Sequence, residues 1–306
     1  MQNITNATIA CIINKTGEVI LGKEQQIKLA LACILARGHL LIEDLPGMGK
    51  TTLAHTLAQV LGLQFQRVQF TSDLLPADIL GVSVYDRNAA NFKFHPGPVF
   101  TNVLLADEIN RATPKTQSAL LEVMEEAQVT IDAVTHQLPQ PFFVIATQNP
   151  SSQIGTFALP ESQLDRFLMR ITLDYPDAAS ERQLLKSNGG REQLAHTSAV
   201  VDSAGLLALQ NACHEVHVSD ALLDYLQAIL KHTRQSMQFN SGLSPRAGLS
   251  LKLCAQAWAL IAGRDHVVPE DIQAILPSVA GHRLVSSNVL DNADSVANLL
   301  KAVAIP

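Results

Sequence analysis

HLLIEDLPGMGKTTLAHTLAQVLG, residues 39–62, is the stretch on which the fold turns. An apolar run (HLLIED, 39–44) leads into a turn with two glycines. Apolar residues at helical spacing follow, so the order is strand, glycine loop, helix. Gly47 and Gly49 allow backbone N–H groups to turn toward a phosphate, and the helix start adds the positive end of its dipole. Lys50 can then reach the β- and γ-phosphates, and Thr51 offers a hydroxyl to magnesium. The general pattern asks for glycine five places before Gly49, where Asp44 stands. Asp44 falls at the strand end rather than over the phosphates, which makes it tolerable. The plain alternative is a glycine turn beside a solvated lysine, and the flanking strand and helix weigh against it.

Four further apolar runs read as strands: FQRVQF (65–70), NVLLAD (102–107), FFVIAT (142–147) and MRITLD (169–174). Most lack alternation, as strands covered on both faces do, which predicts a mostly parallel five-stranded sheet with helices on both sides. KTTLAHTLAQVLG and TPKTQSALLEVMEEA read as helices, the second with Pro114 in its first turn. Residues 81–100 and 128–140 read as hairpins, with a loose loop as the alternative for each. After Asp177 every segment carries a helical stripe, with Asn188, Gly189 and Gly190 breaking one helix from the next. The division expected is an α/β core over 1–176 and an all-α domain over 177–306.

LLADEIN (104–110) is an apolar strand ending in two carboxylates. If it ends at the same sheet edge as the phosphate loop, Asp107 lies near the magnesium, as a partner either direct or through a water, and Glu108 faces the γ-phosphate as the base that orients water. An acidic strand end alone is weak evidence; with the loop it is strong. Asn149, closing FFVIATQNP (142–150), would bond the attacking water or the γ-phosphate if its strand lies beside the loop strand. Equally, an Asn before Pro150 simply starts a turn. The acidic run LEVMEEAQ reads as a solvated helix face, and Trp258 and Tyr225 as core residues. His214 and His217 have metal-binding spacing but no third ligand.

With 47% apolar and 16% charged residues in 306, the chain is globular rather than disordered. A net charge of -6 supplies no general field for nucleic acid. Cys11, Cys33, Cys213 and Cys254 form no CxxC pair, which suits a reducing compartment; Cys33 and Cys254 read as buried apolar residues. The start lacks a secretory pattern, and the apolar stretch before the loop is interrupted by Arg37, Gly38 and His39, too short to span a bilayer. A cytoplasmic location is expected.

EDLPGMGKTTLA (43–54), DEINRATPKTQSALLEVMEE (107–126), ATQNP (146–150), LPESQLDRFLMR (159–170) and GLSPRAGLSL (242–251) together resemble, in order, the hallmark motifs of the MoxR family of AAA+ ATPases, over nearly the whole chain. Asp44 is usual there. The resemblance implies a P-loop AAA+ core with a parallel five-stranded sheet, two hairpin insertions and a helical lid. It also implies Mg-dependent ATP hydrolysis in a ring, usually a hexamer, with nucleotide between subunits. The nucleotide-binding residues would be Ile20, Gly22, Pro46, Gly47, Met48, Gly49, Lys50, Thr51 and Thr52, with Ile20 and Gly22 at the adenine; Gly22 could equally serve only as a turn. Thr51 and Asp107 would hold magnesium. The catalytic set would be Glu108, Asn149, Arg166 and Arg246. Arg166 would be the trans-acting arginine, with Arg170 and Arg111 in reserve, and Arg246 would touch the γ-phosphate of its own subunit. A bland reading of Arg166 is an ion pair with Asp165 or Glu161; Arg246 in a helix's first turn calls for a compensating anion. Partners implied are further copies of the chain and a separate protein with a von Willebrand factor A domain, whose remodelling or maturation the ATPase assists. A nucleic-acid motor and an ATP-holding scaffold are the rival readings.

Overall fold

A computed structural model describes residues 2–88, 90–149, 155–186, 191–285 and 292–305; the helix break expected at Asn188, Gly189 and Gly190 lies outside them. Helices α1 (Gln2–Val19) and α2 (Glu24–Leu35) precede β1 (Leu40–Glu43). Then come α3 (Lys50–Val60), β2 (Phe65–Gln69), α4 (Pro76–Leu80), and a hairpin of β3 (Gly81–Asp86) and β4 (Asn91–Pro96). They are followed by β5 (Val103–Asp107), α5 (Pro114–Glu126), a second hairpin of β6 (Gln128–Ile131) and β7 (Val134–Gln137), β8 (Phe143–Gln148), α6 (Glu161–Leu164) and β9 (Met169–Ile171). The remaining elements are α7 (Ala178–Lys186), α8 (Arg191–His196), α9 (Ser203–Glu215), α10 (Asp220–Gln235), α11 (Pro245–Ile261), α12 (Pro269–Ala280) and α13 (Asn292–Ala302).

The five expected strands form one parallel sheet in the order β2-β5-β8-β1-β9. Successive side chains point to opposite faces, and here each face has its own apolar cluster. Leu40 and Ile42 of β1, Val103 and Leu105 of β5, and Phe143 and Ile145 of β8 join the cluster beneath α2 and α3. Leu41, Leu104, Ala106, Val144 and Ala146 join the other, beneath α4 and α5. Unbroken apolar sequence is what burial on both sides demands. The two edge strands, β2 (FQRVQ) and β9 (MRI), carry polar residues among the apolar ones and are covered less completely.

Both insertions are antiparallel hairpins. The second turns on Asp132 and Ala133, both at positive φ, the conformation a two-residue hairpin loop needs. Strand β9 stops at Ile171, short of the expected 174. The reason is local: the N–H groups of Leu173 and Asp174 donate to the Asp44 carboxylate rather than to a neighbouring strand.

Helix α1 has no counterpart in the sequence-based expectation. Its Asn, Thr and Ile residues are indifferent helix formers, and packing compensates: Ile9, Ile12 and Val19 are buried in the cluster shared with α2 and α3. Lid helices start on side-chain caps, Asp202 for α9, Ser219 for α10 and Ser244 for α11. Leu251, Cys254 and Leu260 of α11 belong to the same cluster as Ile27 and Leu31 of α2, so the helices after Ala178 rest on the layer that covers the sheet. Cys33 and Cys213 are also buried there, and burial pushes their thiols up to about 12. Tyr225 is buried, and Trp258 packs on the cluster. No helix of the described residues is long and apolar enough to cross a membrane.

His39 ties the start of β1 to both neighbours. Its Nδ1 accepts from Val144 N–H at 2.9 Å, so Nε2 carries the proton and donates to Met124 O at 2.9 Å. Burial, partly offset by the Met124 bond, pushes its pKa from 6.5 down to about 4. Below pH 6.5 the unfolded chain therefore takes up a proton that the folded one refuses. The stabilisation is whole above that pH and lost as pH falls to about 4, at about 1.4 kcal/mol per pH unit. His282, buried and donating to Phe167 O, is pushed in the same direction, mainly by burial. Denaturant titrations from pH 7 to 4 should show this slope, and His39→Gln should reduce it while lowering stability at pH 7. Equal slopes in the two proteins would place the acid lability elsewhere.

Candidate active site

The turn after β1 puts Lys50 at the first position of α3, where its side chain is 8% exposed. Its ammonium donates to Asp44 O at 2.5 Å and to Asn149 Oδ1 at 2.9 Å. Both acceptors are neutral. Burial lowers the lysine's pKa, opposed by the nearby charges of Asp44, Asp107, Glu108 and Glu43. Gly47 and Gly49 take φ of +86° and +90°, and a Cβ on either would meet nothing within 4 Å. An open glycine cradle beside a cation whose direct hydrogen-bond partners are neutral suits a polyphosphate. Asp44 fastens the phosphate loop to the exit of β9, because its carboxylate accepts from the N–H groups of Leu45, Leu173 and Asp174.

Because β8 lies between β1 and β5, the ends of all three strands meet. Thr147 Oγ1 donates to Asp107 Oδ1 at 2.5 Å and accepts from Glu108 N at 2.9 Å. Glu108 sits at φ +57°, a left-handed conformation that is uncommon outside glycine and is found where geometry is functionally constrained. Its Oε1 accepts from Asn149 Nδ2 at 3.2 Å. Asn149, 5% exposed, thus bridges Lys50 and Glu108, which is the arrangement that the adjacency of its strand to the loop strand makes possible. Thr51 is half-buried on the first turn of α3. Its hydroxyl and the Asp107 carboxylate are hard oxygen donors of the kind magnesium takes.

Two residues of β2 join this group without any warning in the sequence. Arg67 donates to Asp107 Oδ2 through Nη2 at 2.6 Å and Nε at 3.1 Å. Gln69 donates to Glu108 Oε2 at 2.9 Å and accepts from Arg67 at 3.1 Å. Nothing local in FQRVQF marks them, because their place at the site depends on β2 pairing with β5 in a register that sets Gln69 opposite Asp107.

Beside the loop is a cavity of about 680 Å³. Ile20 and its neighbours form one wall, Pro46 to Gly49 and Thr52 another, and Tyr175 with Leu184 and Leu185 a third. Its apolar walls suit a flat heterocycle. Gly22 does not line it. At φ +69° it packs so closely on α7 that a Cβ there would strike Ser180 and Asp177, which holds the start of that helix against the chain before α2.

The arginines divide. Arg111 pairs with Glu108 at 3.1 Å, and Arg170 pairs with Glu43 at 2.9 Å while reaching Gly281 O. Arg166 and Arg246 lie elsewhere, sharing the Glu125 carboxylate at 3.2 and 2.8 Å. Glu125 follows Met124, whose carbonyl binds His39, and Arg166 precedes Leu168, whose N–H donates to His39 O. Both therefore sit where β1 begins, whereas the phosphate loop follows where β1 ends, roughly 10 Å further along. Further expectations need correction. Arg246 does not face the phosphate loop of its own chain, because α11 delivers it to the opposite sheet edge. The acidic run on α5 is not wholly a solvated face: Glu125 is the anion that compensates Arg246. Asp165, read as a partner for Arg166, instead takes Arg283 at 2.6 Å.

The described features agree with known proteins. The family model for ATPases associated with various cellular activities (AAA) matches residues 39–169, and the AAA lid domain model matches residues 231–301. Chaperone MoxR1 of Mycobacterium tuberculosis is 40% identical over 287 residues, covering 91% of this chain and 76% of that one. Protein MoxR of Methylorubrum extorquens is 30% identical over 94% of this chain and 91% of its own. The chain belongs to the MoxR family of AAA+ ATPases. YeaC of Bacillus subtilis, itself uncharacterised, is 44% identical over 89% of this chain and 85% of that one. A crystal structure from Cytophaga hutchinsonii assigned as an ATPase superposes with a TM-score of 0.91 at 36% identity, covering 100% of this chain and 97% of that one. This MoxR-family chain is thus an ATPase with a P-loop core and a helical lid. Asn149→Ala should lower its kcat by about 10- to 100-fold while changing nucleotide affinity less than about threefold. A loss confined to affinity would make the bridge a binding contact only.

Proposed function

We propose that this chain hydrolyses ATP with magnesium in a ring whose nucleotide sites are each shared between two subunits, and that the cycle remodels or activates a partner protein. The observation that carries the reading is the separation of two groups of residues across the sheet. Lys50, Asp107, Glu108 and Asn149 converge at the edge where the strands end, while Arg166 and Arg246 project together at the edge where they begin. Arginines so placed serve a phosphate of a neighbouring copy, since they point away from their own. A head-to-tail ring brings one edge against the other.

In this reading Gly47, Gly49 and Lys50 hold the phosphates, and Glu108, oriented by Asn149 and Gln69, draws a proton from the attacking water. Thr51 and Asp107 would hold magnesium, which would supply positive charge to the phosphates. Arg166 of the adjacent copy stabilises charge on the transferred group, an effect worth 10³-fold or more, as an order of magnitude, in related chemistry. Arg246, tied to Arg166 through Glu125, arrives with it and reports the lid position to the neighbouring site. The adenine lies in the cavity walled by Ile20 and Tyr175. Residues 1–176 form the nucleotide-binding part and 177–306 the lid.

The chaperone reading rests on the name borne by the mycobacterial relative, and a separate protein with a von Willebrand factor A domain is the partner class we infer. The β6–β7 hairpin carries no Lys or Arg, which favours a protein client over nucleic acid. Steady-state ATP turnover should rise per subunit as concentration drives assembly, with mass measured alongside, and Arg166→Ala should lose about 10³-fold at full assembly. Turnover independent of concentration from a monomer would remove the shared site.

A further inference from the structure

Arg67 has no part in the reaction proposed above. Asp107 is nearly buried, and the protein occupies both its oxygens, Thr147 on Oδ1 and the Arg67 guanidinium on Oδ2. The threonine is neutral and compatible with a metal nearby. The guanidinium is a full positive charge on the carboxylate that, in the function proposed above, faces magnesium, and two cations at that oxygen repel. Arg67 is also free to leave: it stands on the edge strand with its side chain 49% exposed, so swinging outward returns the charge to water at little cost.

We propose that Arg67 is a tethered counter-cation that competes with the divalent metal for Asp107. Metal binding displaces the guanidinium from Oδ2, and loss of the metal lets it return. The same guanidinium donates to Gln69, whose amide donates to Glu108, so the exchange at Asp107 is transmitted to the group that orients water. Arg67 is a positioning residue and does not itself touch the reacting atoms. A merely structural ion pair, stapling β2 to β5, predicts the opposite effect on the metal, because removing it would loosen Asp107.

The inference rests on the reading of Asp107 as the metal-facing carboxylate, and the test separates the two. Mn²⁺ binding to the full-length protein with saturating ADP is followed by the loss of the free-ion paramagnetic resonance signal, a readout independent of turnover. Arg67→Gln should tighten Mn²⁺ by about tenfold, with Arg67→Met matching it and Arg67→Lys staying near wild type. Asp107→Asn should weaken Mn²⁺. If Asp107→Asn weakens binding and both neutral Arg67 variants leave it unchanged or weaker, the competition is refuted. If Asp107→Asn has no effect, the metal assignment fails, and the competition with it. Circular dichroism on each variant confirms that the fold is retained, and two neutral replacements guard against a local defect in one.

Discussion

Every strand of the main sheet runs the same way, and the arrangement of the site follows from that constraint. Parallel β1, β5 and β8 lie side by side, so the residues that follow each strand converge on one edge. Lys50 arrives from the first, Asp107 and Glu108 from the second, and Asn149 from the third. An antiparallel pairing of any one would send its polar end to the far side. The same constraint forces the beginnings of the strands together, and there His39, Glu125 and the Arg166–Arg246 pair collect. One sheet thus presents two different groups at its two ends, Lys50 with Asp107, Glu108 and Asn149 at one, and Arg166 with Arg246 on Glu125 at the other.

What holds the two edges in fixed relation is burial. Alternate residues of each central strand serve separate apolar clusters, so a strand cannot slide by one residue without exchanging its faces. Asp44 adds a polar clasp: its carbonyl holds Lys50 while its carboxylate holds the chain leaving β9 toward the lid. The residue that departs from the general phosphate-loop pattern is therefore the one that joins the loop to the lid.

Legibility in the sequence followed the range of each interaction. The strand, glycine turn and helix around Lys50 are local, and so are the acidic strand end and both hairpins; all are readable from neighbours in the chain. Asn149 stayed open between ligand and turn because its meaning depends on which strand lies beside its own. Arg67 and Gln69 were invisible for the same reason, since only the register of β2 against β5 sets them opposite the acids. The direction in which α11 presents Arg246 depends on how the lid rests on α2, which no local pattern encodes. Helix α1 escaped because its stability comes from packing on α2 and α3 rather than from its own residues.

In the function proposed, one subunit supplies the phosphate loop and the next supplies the arginines. Mixing two crippled chains tests it directly: Lys50→Ala, which keeps the arginines, and the double variant Arg166→Ala with Arg246→Ala, which keeps the loop. Each alone should be nearly inactive. In a random equal mixture roughly a quarter of the interfaces would pair an intact loop with intact arginines, so turnover should recover to about that share of wild type. No recovery, with mixed assembly verified by mass, would contradict a site divided between subunits.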